Sequence, residues 1–158
     1  MVRLQQGDEA AFGELVQTFN TRLYGVLLKI VRNPEDARDL EAARAAFEYS
    51  RDYAKEREVF GVKVAQKQAI AFMLAEMATE IEAIRLLVWE AAWMMDNNKP
   101  DASKQAYLAM IGASDMVMMV TDRAVQILGG HGYIREHPVE MWMRNGRGFA
   151  TFDGLAII

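Results

Sequence analysis

Apolar residues recur at three- and four-residue steps along nearly the whole chain, and the interruptions divide it into four long helices. Over residues 8–32 the stripe is Phe12, Leu15, Val16, Phe19, Leu23, Val26, Leu27 and Ile30, one face of an amphipathic helix. Asp8 is its candidate N-cap, with Glu9 in the first turn. At Asn33-Pro34-Glu35-Asp36 the chain restarts: Asn33 caps, Pro34 takes the first helical position, and two acids complement the dipole. The second helix then runs to about residue 57. A third, over about 65–97, sets Ile70, Met73, Met77, Ile81, Ile84, Val88, Ala91 and Met95 along one seam, the near-heptad spacing of an antiparallel bundle. Asn97-Asn98-Lys99-Pro100 ends it. Asp101 or Ser103 caps the fourth, over about 102–128, whose packed face is Ala106, Ala109, Met110, Ala113, Val117, Val120, Ala124 and Ile127. Gly112 inside that helix permits a close helix approach. A short helix begun by Pro138 and an irregular tail follow. The pattern predicts an all-α fold: a four-helix up-down bundle with helices at about 8–32, 34–57, 65–97 and 102–128, forming one domain over 1–158.

Composition narrows the chemistry. A chain of 158 residues that is 52% hydrophobic and 25% charged, with 3 Pro and 11 Gly, suits one helical domain with a sizeable core. The net charge of -4 implies no general polyanion-binding surface. Without cysteine there are no disulfides, no thiolate catalysis and no cysteine-type zinc site. Two histidines, His131 and His137, are too few for a histidine-rich metal cluster, so no metal site is expected. The first seven residues lack the apolar core of a signal peptide, and no run of about 18 apolar residues offers a membrane span. A cytoplasmic protein is the expectation. The methionine-rich stripe reads as core, and Glu76, Glu80, Glu82 and Arg85 as a solvated face. Trp89 and Trp93, four apart, suit either an interface or the edge of the core.

The stretch Gln126-Ile127-Leu128-Gly129-Gly130-His131-Gly132-Tyr133 ends the fourth helix in an unusual way. Its plain reading is a glycine C-cap: Gly129 and Gly130 can take positive φ and leave backbone amides open to a ligand or a neighbouring chain.

Two resemblances to known families cover different parts of the chain. Arg3-Leu4-Gln5-Gln6-Gly7-Asp8-Glu9-Ala10-Ala11-Phe12, Leu23-Tyr24 and Asn33-Pro34-Glu35-Asp36-Ala37 to Asp39-Leu40 resemble the start of region 2 of extracytoplasmic-function sigma factors. This covers about a quarter of the chain, residues 1–40, and stops there. That segment carries five basic and six acidic side chains, and lacks the basic and aromatic residues that grip melted DNA. Nucleic-acid binding and an RNA-polymerase-associated role are not favoured.

From residue 42 onward, Arg44-Ala45-Ala46-Phe47-Glu48-Tyr49, Tyr53-Ala54-Lys55-Glu56-Arg57-Glu58-Val59-Phe60-Gly61 and Gln68-Ala69-Ile70-Ala71-Phe72-Met73-Leu74-Ala75-Glu76-Met77-Ala78 are similar to the C-terminal helical domain of acyl-CoA dehydrogenases. The resemblance implies that Gln126, Gly129 and Gly130 contact the adenosine and pyrophosphate of FAD across a subunit interface. It also implies that Arg57 and Phe60 reach the same flavin. Asp153 falls at the position of the family's catalytic base, where a glutamate is usual, and is one methylene shorter. Arg32 stands 25 positions before Arg57, the spacing of an arginine that contacts acyl-CoA in the family. His131 sits where the family varies and is expected to fill space or hydrogen-bond. The family's N-terminal helical domain and β-domain have no counterpart in this sequence. The leading expectation is therefore a chimeric, structural bundle that self-associates, as a dimer, without a complete active site. No cofactor is expected in this chain alone, although FAD is implied by the parent family. The alternatives are an FAD-dependent acyl-CoA dehydrogenase or a component of one, with acyl-CoA as partner, and a transcription-associated module.

Overall fold

The computed structural model describes residues 34–149, with side chains over 41–148. The helix expected over 8–32, Arg32 and Asp153 lie outside the described residues. Within them the order is α1 (Pro34–Glu56), β1 (Glu58–Val59), β2 (Val62–Lys63), a 3-10 turn (Val64–Gln66), α2 (Gln68–Asp96), α3 (Ala102–Leu128), a second 3-10 turn (Gly129–Tyr133) and α4 (Val139–Phe149). The fold is all-α apart from the two-residue strands of one antiparallel hairpin.

Helix α3 is the hub, packing against α1, α2 and α4. Its expected face is buried at Ala109, Ala113, Val117, Val120, Ala124 and Ile127, and burial extends to Ser114, Met116, Thr121 and Leu128. A helix covered from three sides needs more than one apolar stripe, and this one meets the need with small residues. Gly112 lies under α2, where an added Cβ would stand 2.7 Å from Ile84 Cδ1. On α1, Ala43, Ala46, Ser50 and Ala54 are fully buried at three- and four-residue spacing, a small-residue face. The buried hydroxyls are satisfied locally: Ser50 donates to the Phe47 carbonyl at 3.0 Å, and Thr121 to the Val117 carbonyl at 2.7 Å.

Several expectations change in detail. Helix α2 begins at Gln68, three residues later than the pattern suggested, because residues 58–66 form the hairpin and a 3-10 turn. Of its seam, Met77, Ile84, Val88 and Ala91 are buried, whereas Met95 in the last turn is exposed. Trp89 is half-buried with the Arg85 guanidinium 5.0 Å from its ring centroid, while Trp93 is 56% exposed. Glu76 and Glu82 form ion pairs with Arg123 and Arg85, so this face is wet but paired. Asp101 stands at the α3 N-cap with φ -97° and ψ 12°, and its side chain makes no capping bond. The extended backbone that aims an N-cap oxygen at the helix is absent there. Helix α4 continues through Asn145-Gly146-Arg147-Gly148, which the sequence pattern assigned to an irregular tail. Two glycines weaken a helix in isolation; here Gly146 is buried against α3, and its missing Cβ lets α4 approach Val117 and Thr121.

That approach yields a test. A Cβ at Gly146 would lie 2.6 Å from Cγ1 of the fully buried Val117. Alanine at a mid-helix glycine is worth up to about 1 kcal/mol by propensity, but overpacking costs about 1–3 kcal/mol. Gly146→Ala is therefore expected to destabilise by about 1 kcal/mol in chemical denaturation. Val117→Ala in the same chain should make the glycine substitution neutral or favourable.

Candidate functional site

The end of α1 is closed by a compact arrangement. Arg57 donates its backbone N–H to the Tyr53 carbonyl at 2.8 Å, and its own carbonyl accepts from Val64 N–H at 2.9 Å. Between them, β1 and β2 pair Glu58 with Lys63 and Val59 with Val62 across a two-residue loop, Phe60-Gly61. Both loop residues have positive φ, 57° and 77°, the combination a two-residue hairpin of type I′ demands. Lys63 ties the hairpin to the helix, its ammonium donating to the Glu56 carbonyl at 3.0 Å and lying 2.8 Å from Glu58. The hydrogen bond and charge of Lys63 hold the Glu58 carboxyl below the usual carboxylate range.

Phe60 is the unusual member. A bulky residue in the left-handed region carries a cost of about 1–3 kcal/mol, and burial does not offset it, because Phe60 is 93% exposed. Its one described ring contact is the Lys67 ammonium, 5.4 Å from the centroid. Arg57, at the base of the same hairpin, is exposed, and its guanidinium makes no hydrogen bond or ion pair with any described residue.

The end of α3 carries the second group. Gly129 has φ 58° and ψ -130°, a conformation that suits glycine, and donates its N–H to the Gln126 and Val125 carbonyls. This corrects the expectation of open amides at both glycines: the Gly129 amide is taken by the helix end, and Gly130 does not adopt positive φ. What the turn offers is open approach, since a Cβ at either glycine would meet nothing within 4 Å. Gln126 is exposed on the last turn of α3, and Tyr133 is 86% exposed. Gly132 has a structural role: a Cβ there would collide with the Val125 backbone, 2.9 Å from its Cα.

A ring cluster joins the two groups. Tyr53 Oη and His131 Nδ1 share a hydrogen bond of 2.8 Å, as do Tyr49 Oη and His137 Nδ1 at 2.7 Å. The imidazoles stack with centroids 5.4 Å apart at 12°, and Tyr49 meets Trp142 edge-on. His131 thus hydrogen-bonds, as expected. Tyr53 lies one turn before Arg57, and His131 directly follows Gly130, so the bond brings Arg57 and Phe60 to the same end of the bundle as Gln126, Gly129 and Gly130. Periodicity does not reveal these pairings, whose partners lie 78 and 88 residues apart. Tyr49 and Tyr53 at four-residue spacing on one helix were the available hint. Among the described residues no three His, Asp or Glu side chains converge as a metal site, and no helix is long and apolar enough to cross a membrane.

Fold and site together define a helical domain that presents two loops at one end, one with an exposed cation and ring, the other with an open glycine turn. A model of the acyl-CoA dehydrogenase C-terminal domain matches residues 36–156, and the chain belongs to that family. The CarC subunit of the caffeyl-CoA reductase-Etf complex of Acetobacterium woodii is 40% identical over 146 residues, covering 92% of this chain and 38% of that protein. The short-chain specific acyl-CoA dehydrogenase of Bos taurus is 41% identical over 119 residues, 75% of this chain and 29% of that protein. Among solved structures, butyryl-CoA dehydrogenase from Megasphaera elsdenii matches with a TM-score of 0.72 at 38% identity, over 78% of this chain and 32% of that chain. The chain thus spans about a third of the length of these relatives. None of these matches shows a sigma-factor segment. The 146-residue match to CarC is longer than the whole of residues 42–158, so the dehydrogenase likeness extends into the stretch set apart as sigma-like.

Two predictions concern the hairpin. Folding lowers the Glu58 pKa, so its pair with Lys63 supports the hairpin above the ordinary glutamate range, and that support is lost as pH falls through the lowered value. Lys63→Gln should return the Glu58 titration, followed by the carboxyl carbon chemical shift, to the ordinary range. Phe60→Asn places a residue tolerant of positive φ at the strained position and should stabilise the fold by about 1 kcal/mol in chemical denaturation.

Proposed function

We propose that this chain is the C-terminal helical domain of an FAD-dependent acyl-CoA dehydrogenase, or of a component of one, and supplies the adenosine-and-pyrophosphate side of its flavin site. The observation that carries this is Phe60: a strained, exposed aromatic at the tip of the hairpin that begins after the exposed Arg57, at the same bundle end as the open Gly129-Gly130 turn. Strain without packing reward is the mark of a residue retained for an interaction outside its own core. A guanidinium suits a pyrophosphate, and a turn without Cβ atoms lets a large ligand approach the backbone. Gln126 adds an exposed amide at the same end.

When bound, the flavin supplies the hydride acceptor for α,β-dehydrogenation of an acyl-CoA thioester. This chain's described residues bind and orient its dinucleotide end. In this reading Asp153 is the carboxylate that takes the α-proton, and its shorter side chain requires a closer approach than a glutamate. Arg32 is the candidate contact to the acyl-CoA. Exposed Phe72, Leu86 and Trp93, spaced fourteen and seven residues apart on α2, with Leu108 and Ile111 on α3, offer apolar surface on which a second copy would pack. The alternative of a chimeric, non-catalytic bundle draws its chimeric part from the sigma-factor resemblance, and the long match to CarC counts against that part.

Titration with FAD, followed by flavin fluorescence, tests the proposal. Saturable binding is expected, with competition by ADP and none by riboflavin, because the adenosine-pyrophosphate end is the part held. Arg57→Ala should weaken it about tenfold, the effect of removing one hydrogen bond to a charged group. Equal competition by riboflavin and ADP, or no saturable binding, would overturn the assignment.

A further inference from the structure

We infer that Tyr53 and His131 are positioning residues: their hydrogen bond locks the Gly129-Gly130 turn to the end of α1 and sets its spacing from Arg57. This rests on the reading that this bundle end takes the dinucleotide part of FAD. The turn Gly129-Gly130-His131-Gly132 has one side chain in four residues. Three glycines leave a backbone with high conformational entropy, so any side-chain anchor across to α1 must come from His131. That side chain is half-buried, bonded to Tyr53 at 2.8 Å, and braced by the His137 ring stacked on its face. His137 is itself held by Tyr49, one turn earlier on α1. Tyr53 in turn fixes Arg57 through its carbonyl, one helical turn on. One tyrosine therefore holds the cation-bearing loop through its backbone and the glycine turn through its hydroxyl. A ligand bridging the two would find their separation already set, saving the ordering cost of a free turn.

The test compares amide hydrogen exchange and FAD affinity in the full chain and three variants. Tyr53→Phe keeps the ring and removes the hydroxyl. His131→Asn keeps a polar atom near the position of Nδ1 and retains the bond, whereas His131→Gln carries its amide one methylene further out and loses it. Tyr53→Phe and His131→Gln should raise exchange at residues 130–132 about two- to tenfold and weaken FAD by a similar factor, with His131→Asn close to the parent. Amides in the middle of α2 should not change, and a rise shared by them would mean global loosening and overturn a local lock. Unchanged exchange in Tyr53→Phe overturns the lock itself. Faster exchange with unchanged FAD affinity overturns the positioning role while leaving the flavin reading intact. A parent chain that binds no FAD overturns the flavin reading, and the positioning role with it.

Discussion

Burying α3 on three sides at once is the constraint from which the rest of the structure follows. Helices approach within 8–10 Å only where the side chains between them permit it, and α3 must admit α1, α2 and α4 around one axis. Ala109, Ala113, Ser114 and Ala124 keep its girth small, while Val117, Val120 and Ile127 fill the remaining space. Each fully buried valine or isoleucine contributes about 1.5–3 kcal/mol. The neighbours match this economy of volume: α1 with its Ala43, Ala46, Ser50 and Ala54 face, α4 with Gly146 against Val117. Because α3 is held so closely, the point where it stops is fixed too. The glycine turn after Leu128 therefore emerges at a defined place at the end of α1.

The site at that end combines rigid support with local cost. Backbone bonds with Tyr53 and Val64 clamp Arg57, and Lys63 clamps the hairpin to the Glu56 carbonyl at the end of α1. Within this frame Phe60 is held in a conformation it would not choose, with its ring in water. A domain of the acyl-CoA dehydrogenase family has a reason for such a residue, since in the proposed reading the missing contact is a flavin dinucleotide. The chain spans about a third of its relatives' length, which accords with a domain that presents one side of a site.

Legibility varied by element, for identifiable reasons. Helix α3 followed from its periodic face between Pro100 and Gly129, and α1 from the start signal at Asn33-Pro34. The hairpin was missed because its strands are two residues each, too short for alternation to register, and only Phe60-Gly61 hinted at a turn. Helix α4 was cut short because Gly146 and Gly148 read as breakers, and the close approach to α3 that favours Gly146 is invisible along the chain. Arg57, Phe60, Gln126, Gly129 and Gly130 entered through family resemblance. The Tyr53–His131 and Tyr49–His137 pairs are marked in the sequence only by the four-residue spacing of the two tyrosines, with nothing to name their partners.

By itself the sequence determined the helical class, most of the core and the places where helices stop, because these depend on local periodicity and on the φ preferences of proline and glycine. It also held the motifs that mark the dehydrogenase family. Only the tertiary structure decided that α3 is buried on three sides, that the Gly129 amide is already taken, and that Phe60 pays for its position in strain. It alone brought the Arg57 loop and the glycine turn together through two tyrosine–histidine bonds. Those outcomes depend on distances between residues far apart in the chain, and no local preference encodes a distance of that kind.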